Sequence, residues 1–251
     1  MSYPRYLTDS FKPFNPLEVS RNGEDIFYEG NSRKYTEFYC TGVYGGISTG
    51  YTVGCNLRCI FCWVGWSRDF PKRYGKLFSP EEVVHNLTRN AHANKISKVR
   101  ISGGEPTIAR GHLLEVLNRL KEKNMLFILE TNGILFGDDE QYVKELIDYK
   151  NIHVRVSLKA GSPEGFQRRT GAMGEFYRLP FTAISYLMKY KISFHVACMS
   201  DRGLMPQNER NSIIKELTHI GYSDFFEEER CDPYNTTVAR LEKAGYKNFF
   251  K

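Results

Sequence analysis

The stretch ISTGYTVGCNLRCIFCW, residues 47–63, joins a short predicted strand to a loop that contains three cysteines. Cys55, Cys59 and Cys62 follow one another in a C-x3-C-x2-C spacing. The other three cysteines of the chain are scattered at positions 40, 198 and 231. A secreted disulfide framework distributes its cysteines in pairable positions. One tight triplet instead indicates a metal site.

The triplet has no fourth ligand close to it in the sequence. Structural zinc sites and four-cysteine clusters need a fourth protein ligand. The next histidine is His85, which lies inside a predicted helix. Three thiolates on a four-iron cluster leave one iron open, and an open metal position is typical of catalysis. A zinc knuckle and three core cysteines are the alternatives.

Strands and helices alternate on the carboxyl side of this stretch. The helices begin with a capping box at Ser79 that has a proline at its first helical position. They are predicted over residues 79–93, 111–123, 139–149, 176–189 and 207–220. The strands are predicted over residues 47–53, 98–102, 126–130, 152–158, 193–199 and 222–226. Because parallel strands need helical crossovers, the order predicts an α/β fold, a partial (β/α)6 barrel of parallel strands.

The chain of 251 residues, 41% of them hydrophobic, can bury one large core. We expect an irregular N-terminal extension over residues 1–44, because Pro4, Pro13 and Pro16 interrupt any periodicity there. The barrel is expected over residues 45–226. A C-terminal tail, residues 227–251, is expected to pack on or near the barrel.

Composition gives little reason to expect a membrane or nucleic-acid partner. No apolar run reaches the roughly 18 residues that span a bilayer, and the first residues lack a signal-like apolar region. We therefore expect a cytoplasmic protein with no membrane partner. The net charge of +6 is typical of ordinary solubility.

Polar and glycine residues follow three of the predicted strands, at the strand ends where parallel sheets place their chemistry. Gly103, Gly104, Glu105 and Pro106 follow the second strand. Glycines there let the backbone approach a ligand closely, although two glycines and a glutamate also suit an ordinary turn. Thr131 and Asn132 end the third strand, and Ser157 and Lys159 end the fourth; helix caps and a solvated charge are the alternatives.

The cysteine spacing, the aromatic Phe61 before the third cysteine and the sheet that follows resemble the radical S-adenosylmethionine (SAM) superfamily. The resemblance implies a [4Fe–4S] cluster whose open iron chelates SAM and whose electron yields a 5′-deoxyadenosyl radical that abstracts hydrogen from a substrate. It implies that Cys55, Cys59 and Cys62 hold the cluster. It also implies that the other site residues contact SAM: Phe61, Gly103, Gly104, Glu105, Pro106, Thr131, Asn132, Ser157 and Lys159.

The superfamily resemblance further implies anaerobic chemistry and a low-potential electron donor that is flavodoxin- or ferredoxin-like. The segment Val156–Lys159 and the chain length look most like the small activating-enzyme branch, which installs a glycyl radical on a partner protein. Three features depart from that branch: Ser157 replaces an aspartate, Trp63 replaces a histidine or asparagine, and residues 227–229 are all glutamate. The Phe-Cys-Trp ending of the triplet is also similar to archaeal wyosine-forming tRNA enzymes. Those enzymes carry extra N-terminal cysteines that hold a second cluster, and Cys40 alone cannot supply one.

Two groups of basic residues are predicted at the rim of the active-site face. They are Arg68, Lys72, Arg73 and Lys76, interleaved with Phe70 and Tyr74, and the pair Arg168 and Arg169. Basic residues among aromatics can bind a phosphate backbone. A solvated loop, or contacts to SAM and an acidic protein, is the favoured interpretation. A six-strand partial barrel leaves one side open, and that opening would admit a loop of a macromolecule. We therefore expect a macromolecular substrate, protein ahead of RNA, with a small metabolite or a non-catalytic iron–sulfur or zinc protein as alternatives.

Overall fold

A computed structural model of the protein describes residues 3–8 and 10–251. Within these residues, nine strands form one sheet in the order β1-β2-β3-β5-β6-β7-β8-β9, with β4 paired to β2. The strands are β1 (Tyr28–Glu29), β2 (Ser32–Thr41), β3 (Ile47–Thr52), β4 (Lys76–Phe78), β5 (Lys98–Gly103), β6 (Leu126–Thr131), β7 (Ile152–Leu158), β8 (Phe194–Met199) and β9 (Phe226–Glu229).

The six strands β3 and β5 to β9 are parallel to one another, as the alternation of strands and helices predicts. The sheet is not closed, since β1 and β9 occupy its two ends. Strand β2 runs antiparallel to β3 and extends the sheet on the side of the cysteine loop. The predicted partial barrel is confirmed.

The described residues contain nine α-helices, of which the first precedes the sheet, the last follows it and the others lie between the parallel strands. They are α1 (Pro16–Phe27), α2 (Pro80–Ala93), α3 (Arg110–Leu120), α4 (Ile134–Asp138), α5 (Glu140–Lys144), α6 (Pro163–Thr170), α7 (Leu179–Lys189), α8 (Gln207–His219) and α9 (Asn235–Lys243). The predicted capping box is present: Ser79 N donates to Glu82 Oε2 at 2.7 Å, and Glu82 N donates to Ser79 Oγ at 3.3 Å. In the described residues, no helix has the length and apolar character that crossing a bilayer requires.

The two faces of the parallel sheet have opposite chemistry. Residues that pack under the helices are apolar and at most 1% exposed; they include Val99, Ile101, Leu129, Val154 and Val196. Their sequence neighbours on the concave face are polar, and they include Arg100, Ser102, Glu130, Arg155 and Ser157. A closed barrel of this type fills its interior with branched apolar side chains. Here the charged concave face lines a cavity instead.

The prediction of an irregular N-terminal extension is wrong for much of that segment. The side chain of Asn15 caps α1 by accepting from Leu17 N and Glu18 N, and Pro16 occupies the first helical turn. Proline is tolerated there because the first-turn N–H groups have no intrahelical partner. The segment then continues into β2, whose pairing with β3 makes it part of the sheet.

The last strand begins where the sequence-based prediction ends it. Residues 222–226 are predicted as a strand, but β9 covers Phe226–Glu229. The hydroxyl of Tyr222 accepts from Val196 N at 3.1 Å and donates to Phe225 O, which fixes the turn before β9. A run of glutamates has low strand propensity. It forms a strand here because Glu227 and Glu229 pair with Arg155, which lies on the concave face of β7.

Candidate active site

The cysteine loop follows β3 and forms one wall of a cavity at the carboxyl ends of the parallel strands. Most of the sequence-predicted site residues line this cavity. They are Cys55, Cys59, Phe61, Cys62, Gly103, Gly104, Glu105, Thr131, Asn132, Ser157 and Lys159. Pro106 is buried directly behind the glycine turn, where its carbonyl accepts from Arg33 Nη1 at 2.8 Å. The fold therefore brings together residues from four separate strand ends.

The three thiols are shielded from solvent to different degrees. Cys59 is buried, and Cys55 and Cys62 are half-buried. Burial, with contributions from the Glu105 carboxylate and Cys59, raises the pKa of Cys55 to about 12. Burial also raises the pKa of Cys59. Binding of a metal centre therefore has to displace protons from these thiols.

The three thiols of the cysteine triplet do not converge in the way that the ligands of a single metal ion do. Among the described residues, no three His, Cys, Asp or Glu side chains converge on a single metal ion. A four-iron cluster is held by thiolates on different irons, so its ligands do not need to converge on one point. Cys40, Cys198 and Cys231 do not line the cavity.

The two-glycine turn after β5 packs directly on the backbone of the cysteine loop. Gly104 N donates to Thr52 O at 2.9 Å, and Glu105 N donates to Gly54 O at 2.8 Å. A Cβ atom on Gly104 would lie 1.8 Å from Gly54 O, which is a severe clash with backbone. Gly103 has a φ of 92°, which favours glycine. The close approach of the turn to the loop requires both glycines, and both of them line the cavity.

Glu105 is 2% exposed and connects the ends of β5 and β6. Its Oε1 accepts from Thr107 N at 3.1 Å, from the Thr107 hydroxyl at 2.7 Å and from the Thr131 hydroxyl at 2.7 Å. Within the described part of the chain, its Oε2 accepts from Asn132 N alone, at 2.9 Å. A carboxylate offers about four lone-pair sites, two on each oxygen. Oε2 is therefore the atom that can accept one more N–H from a ligand.

Asn56 is a site residue that the sequence analysis missed. It is fully buried, and its Oδ1 accepts from Asn132 Nδ2 at 2.7 Å, which joins the cysteine loop to the end of β6. Its Nδ2 has no hydrogen-bond partner among the described residues. Asn56 does not itself line the cavity, so its role in the site is to position the cysteine loop against the end of β6. The only sequence signal was its position directly after a cysteine.

Phe61, Ser157 and Lys159 lie close to one another in the cavity. Lys159 Nζ donates to Ser157 Oγ at 2.6 Å and lies 6.0 Å from the centre of the Phe61 ring. Ser157 Oγ also donates to Glu229 Oε2 at 3.4 Å. An ammonium group beside a hydroxyl can bind a ligand carboxylate.

Two ion-pair networks cover the concave face below these residues. Arg155 pairs with Glu227 at 2.8 Å and with Glu229 at 2.7 Å, and Arg100 pairs with Glu130 at 2.7 Å. Burial alone would raise the pKa of Glu130, but the guanidinium groups of Arg100 and Arg155 outweigh it and lower that pKa. The Glu130 carboxylate is therefore ionised at neutral pH, and the ion pairs make the cavity floor polar.

The basic residues predicted at the rim have different roles. Arg68 is 1% exposed, donates to Cys59 O at 2.7 Å and pairs with Asp69. Arg169 is fully buried and pairs with Glu209. Both are structural, so the prediction that they rim the cavity is wrong. The other four are exposed but do not line the cavity: Lys72, Arg73, Lys76 and Arg168.

Arg240 of α9 holds the carboxyl end of the cysteine loop from outside. It is 1% exposed and donates to Cys62 O at 2.6 Å, to Val64 O at 2.6 Å and to Gly65 O at 3.0 Å. It also pairs with the buried Asp69. The C-terminal helix therefore positions the third cysteine, a role that no sequence pattern indicated.

Replacing Arg240 by methionine is expected to lower the free energy of unfolding by about 3–5 kcal/mol, because carbonyl acceptors and a carboxylate lose a buried charged partner. Iron should also be lost faster from reconstituted protein. Anaerobic denaturant titration and chelator-induced iron release measure the two effects. Arg230→Met, at an exposed position, is the matched control and should change little. Equal stability of the two variants would contradict the role given to Arg240.

Comparison with known proteins finds one matching family model and relatives with different named activities. A sequence model described as the Radical SAM superfamily matches residues 50–211. A protein described as a candidate glycyl-radical enzyme activating enzyme, from Methanocaldococcus jannaschii, is 27% identical over 67% of this chain and 61% of its own length. The GTP 3′,8-cyclase of Clostridium perfringens is 34% identical over 46% of this chain and 35% of its own length. The chain thus spans less than two thirds of these relatives.

Solved structures with a similar fold include two that cover most of this chain. Streptococcus suis SuiB bound to precursor peptide SuiA has a TM-score of 0.60 at 17% identity, over 79% of this chain and 44% of that one. TYW1 with a lysine-pyruvate adduct has a TM-score of 0.55 at 16% identity, over 80% of this chain and 73% of that one. These likenesses support the fold. Since the family match covers more than half of the chain, the protein belongs to the radical SAM superfamily, whose members use a [4Fe–4S] cluster and SAM.

Proposed function

We propose that Cys55, Cys59 and Cys62 hold a [4Fe–4S] cluster at which SAM is reductively cleaved, and that the substrate is a protein. The observation that carries the first part is the meeting of three thiols and a two-glycine turn in one cavity without a fourth thiol or histidine ligand. When bound, the cluster and SAM supply a 5′-deoxyadenosyl radical that abstracts a hydrogen atom from the substrate.

The residues around the thiols divide into ligand contacts and supports. Glu105 Oε2 and the backbone of Gly103 and Gly104 would bind the SAM ammonium, and Lys159 with Ser157 would bind its carboxylate. Thr131 and Asn132 have their side chains committed to Glu105, Asn56 and Ile134 N. We therefore assign these two residues to positioning Glu105 and the cysteine loop.

A row of aromatic side chains beside the cysteines supports a protein substrate. Trp63, which lines the cavity, is 43% exposed and contacts Tyr51 at 6.0 Å and Tyr234 at 6.5 Å between ring centres. Tyr51 stacks on Tyr39 at 4.6 Å. Tyr39 and Tyr234 are 41% and 53% exposed. Exposed aromatic surface of this kind is typical of protein–protein contacts.

Two further considerations bear on the substrate. An RNA backbone would need exposed basic side chains at the mouth, and the exposed ones of both predicted groups lie off the cavity. The similarity to a protein described as a candidate activating enzyme agrees with a protein substrate. The similarity to a GTP 3′,8-cyclase supports a small metabolite as the second candidate.

The test uses reconstituted protein reduced with dithionite under anaerobic conditions. SAM should be converted to methionine and 5′-deoxyadenosine. The substrate class is then read from deuterium transfer: extract from cells grown in deuterated medium is separated by size and added to the reaction. We expect deuterium in 5′-deoxyadenosine from the macromolecular fraction, lost after protease digestion and kept after ribonuclease digestion. Deuterium from the small-molecule fraction alone would contradict a protein substrate.

Trp63→Ala is expected to lower deuterium transfer from the protein fraction about ten- to a hundredfold, because a central interface tryptophan often contributes 2 kcal/mol or more to binding. SAM cleavage without added substrate should stay near the wild-type rate. Phe225→Ala is the matched control, since Phe225 is 63% exposed and precedes β9 at the opposite end of the barrel. Equal loss in both variants would contradict the role of the aromatic row.

A further inference from the structure

We infer that a groove on the outer side of the cysteine loop docks an acidic, one-electron carrier protein that reduces the cluster. The inference rests on the proposed SAM cleavage. The groove is formed by residues 3–6, Thr8 and residues 69–73 with Ile26, and its volume is about 720 Å³. Each docking event passes one electron from the reduced carrier, which is oxidised, to the cluster, which is reduced. No bond is formed or broken.

The groove lies directly behind the cysteines. The Tyr3 hydroxyl donates to Cys55 O at 3.3 Å, and Arg58 of the loop donates to Pro4 O. Arg68 donates to Cys59 O at 2.7 Å and, at 3.5 Å, to Arg5 O. The walls of the groove are therefore bonded to the same loop whose other side bears the thiols.

The groove and the active-site cavity have no lining residue in common. A carrier docked in the groove approaches the cluster through the loop backbone. It leaves the barrel mouth free for SAM and the substrate, which have to be in place when the electron arrives. A carrier that docked at the barrel mouth would compete for space with SAM and with the substrate.

The exposed charge of the groove is positive. Arg5, Lys72 and Arg73 are exposed, and the guanidinium groups of Arg5 and Arg73 lie 4.9 Å and 5.4 Å from the centre of the Phe70 ring. Asp69 is the one acidic residue that lines the groove in the described part of the chain, and it is fully buried against Arg68 and Arg240. No exposed acid therefore offsets the basic residues on the described groove lining.

This combination fits a carrier with an acidic surface around its redox centre. Complementary charge raises the rate of encounter and loses its effect as salt increases. Redox partners form small, weak interfaces, so three exposed cations around an aromatic ring are enough to orient one. Phe70 and Tyr6 supply apolar contact at the centre of the positive rim.

The experiment measures 5′-deoxyadenosine formation by the reconstituted full chain with two reductants, reduced flavodoxin as the acidic carrier and dithionite as the small one. The readout is the ratio of the two rates, so a change in cluster content cancels. The groove variant is Lys72→Glu with Arg73→Glu. Its matched control is Lys121→Glu with Lys123→Glu, an equal charge change at exposed positions after α3. Arg5→Glu tests the opposite wall of the groove.

At low ionic strength the ratio is expected to fall about tenfold in the groove variant and in Arg5→Glu, and less than about twofold in the control. Added salt should lower the flavodoxin-driven rate of wild type and leave that of the groove variant nearly flat. A ratio that is unchanged, or that falls equally in the control, overturns the docking surface. The docking surface is also overturned if the groove variant loses deuterium transfer from an RNA fraction while the ratio of its flavodoxin-driven and dithionite-driven rates stays constant. If the wild-type protein forms no 5′-deoxyadenosine with dithionite, the proposed SAM cleavage is overturned instead.

Discussion

Replacing Cys59 by alanine is expected to reduce the iron content of anaerobically reconstituted protein from about four atoms per chain to background, and to abolish SAM cleavage. Cys59 is 8% exposed and lies in the middle of the triplet. The remaining cysteines, at positions 40, 198 and 231, do not line the cavity and cannot replace it. Two thiols would leave the cluster held at only two corners. Iron and sulfide analysis and product detection measure both losses.

Cys40→Ala is the matched control for this experiment. Cys40 lies on β2, outside the cavity, and its thiol donates to Asn90 O at 3.4 Å. This variant should keep the iron, the sulfide and the SAM cleavage of wild type. Stoichiometric zinc without sulfide in the wild-type protein would contradict the cluster, and so would a Cys59→Ala variant that retains four irons.

The sequence predicted the parts of the fold that depend on local periodicity. The strands β5 and β7 are apolar on alternate residues, and β6 begins with four apolar residues in a row. All three are bounded by glycine or asparagine, and the sequence predicts each of them within one residue. Strand β9 could not be recognised in this way, because two of its three glutamates, Glu227 and Glu229, are stabilised by Arg155 on another strand. Such a contact depends on the tertiary fold and leaves no local pattern.

The sequence predicts the site residues whose function depends on their spacing along the chain. It does not predict the residues whose role depends on their being buried in the folded protein. The cysteines and the two-glycine turn follow from their own spacing. Arg68 and Arg240 could not be distinguished from surface arginines, although both are buried and hold the backbone of the cysteine loop. Their partners are carbonyl groups and Asp69, and neither kind of partner is visible in a sequence.

Glu105→Ala is expected to weaken SAM binding about ten- to a hundredfold while the cluster stays in place, because one charge-assisted hydrogen bond to the SAM ammonium is lost. The structure adds a second effect to this expectation. The carboxylate is buried and accepts from Thr107, Thr131 and Asn132, so its removal leaves buried donors unpaired. The free energy of unfolding should therefore fall by about 3–5 kcal/mol.

The two effects can be separated with Thr131→Val, which removes one of the hydrogen bonds to Glu105 and keeps the side-chain volume. This variant should lose about 1–3 kcal/mol of unfolding free energy and keep a SAM Kd near that of wild type. Glu105→Gln keeps the volume but loses the charge, and it should weaken SAM binding nearly as much as alanine does. Equilibrium dialysis at matched iron content gives each Kd, and denaturant titration gives each stability. If Glu105→Ala and Glu105→Gln unfold more easily but bind SAM as wild type does, Glu105 only braces the ends of β5 and β6, and the ammonium is bound by backbone alone.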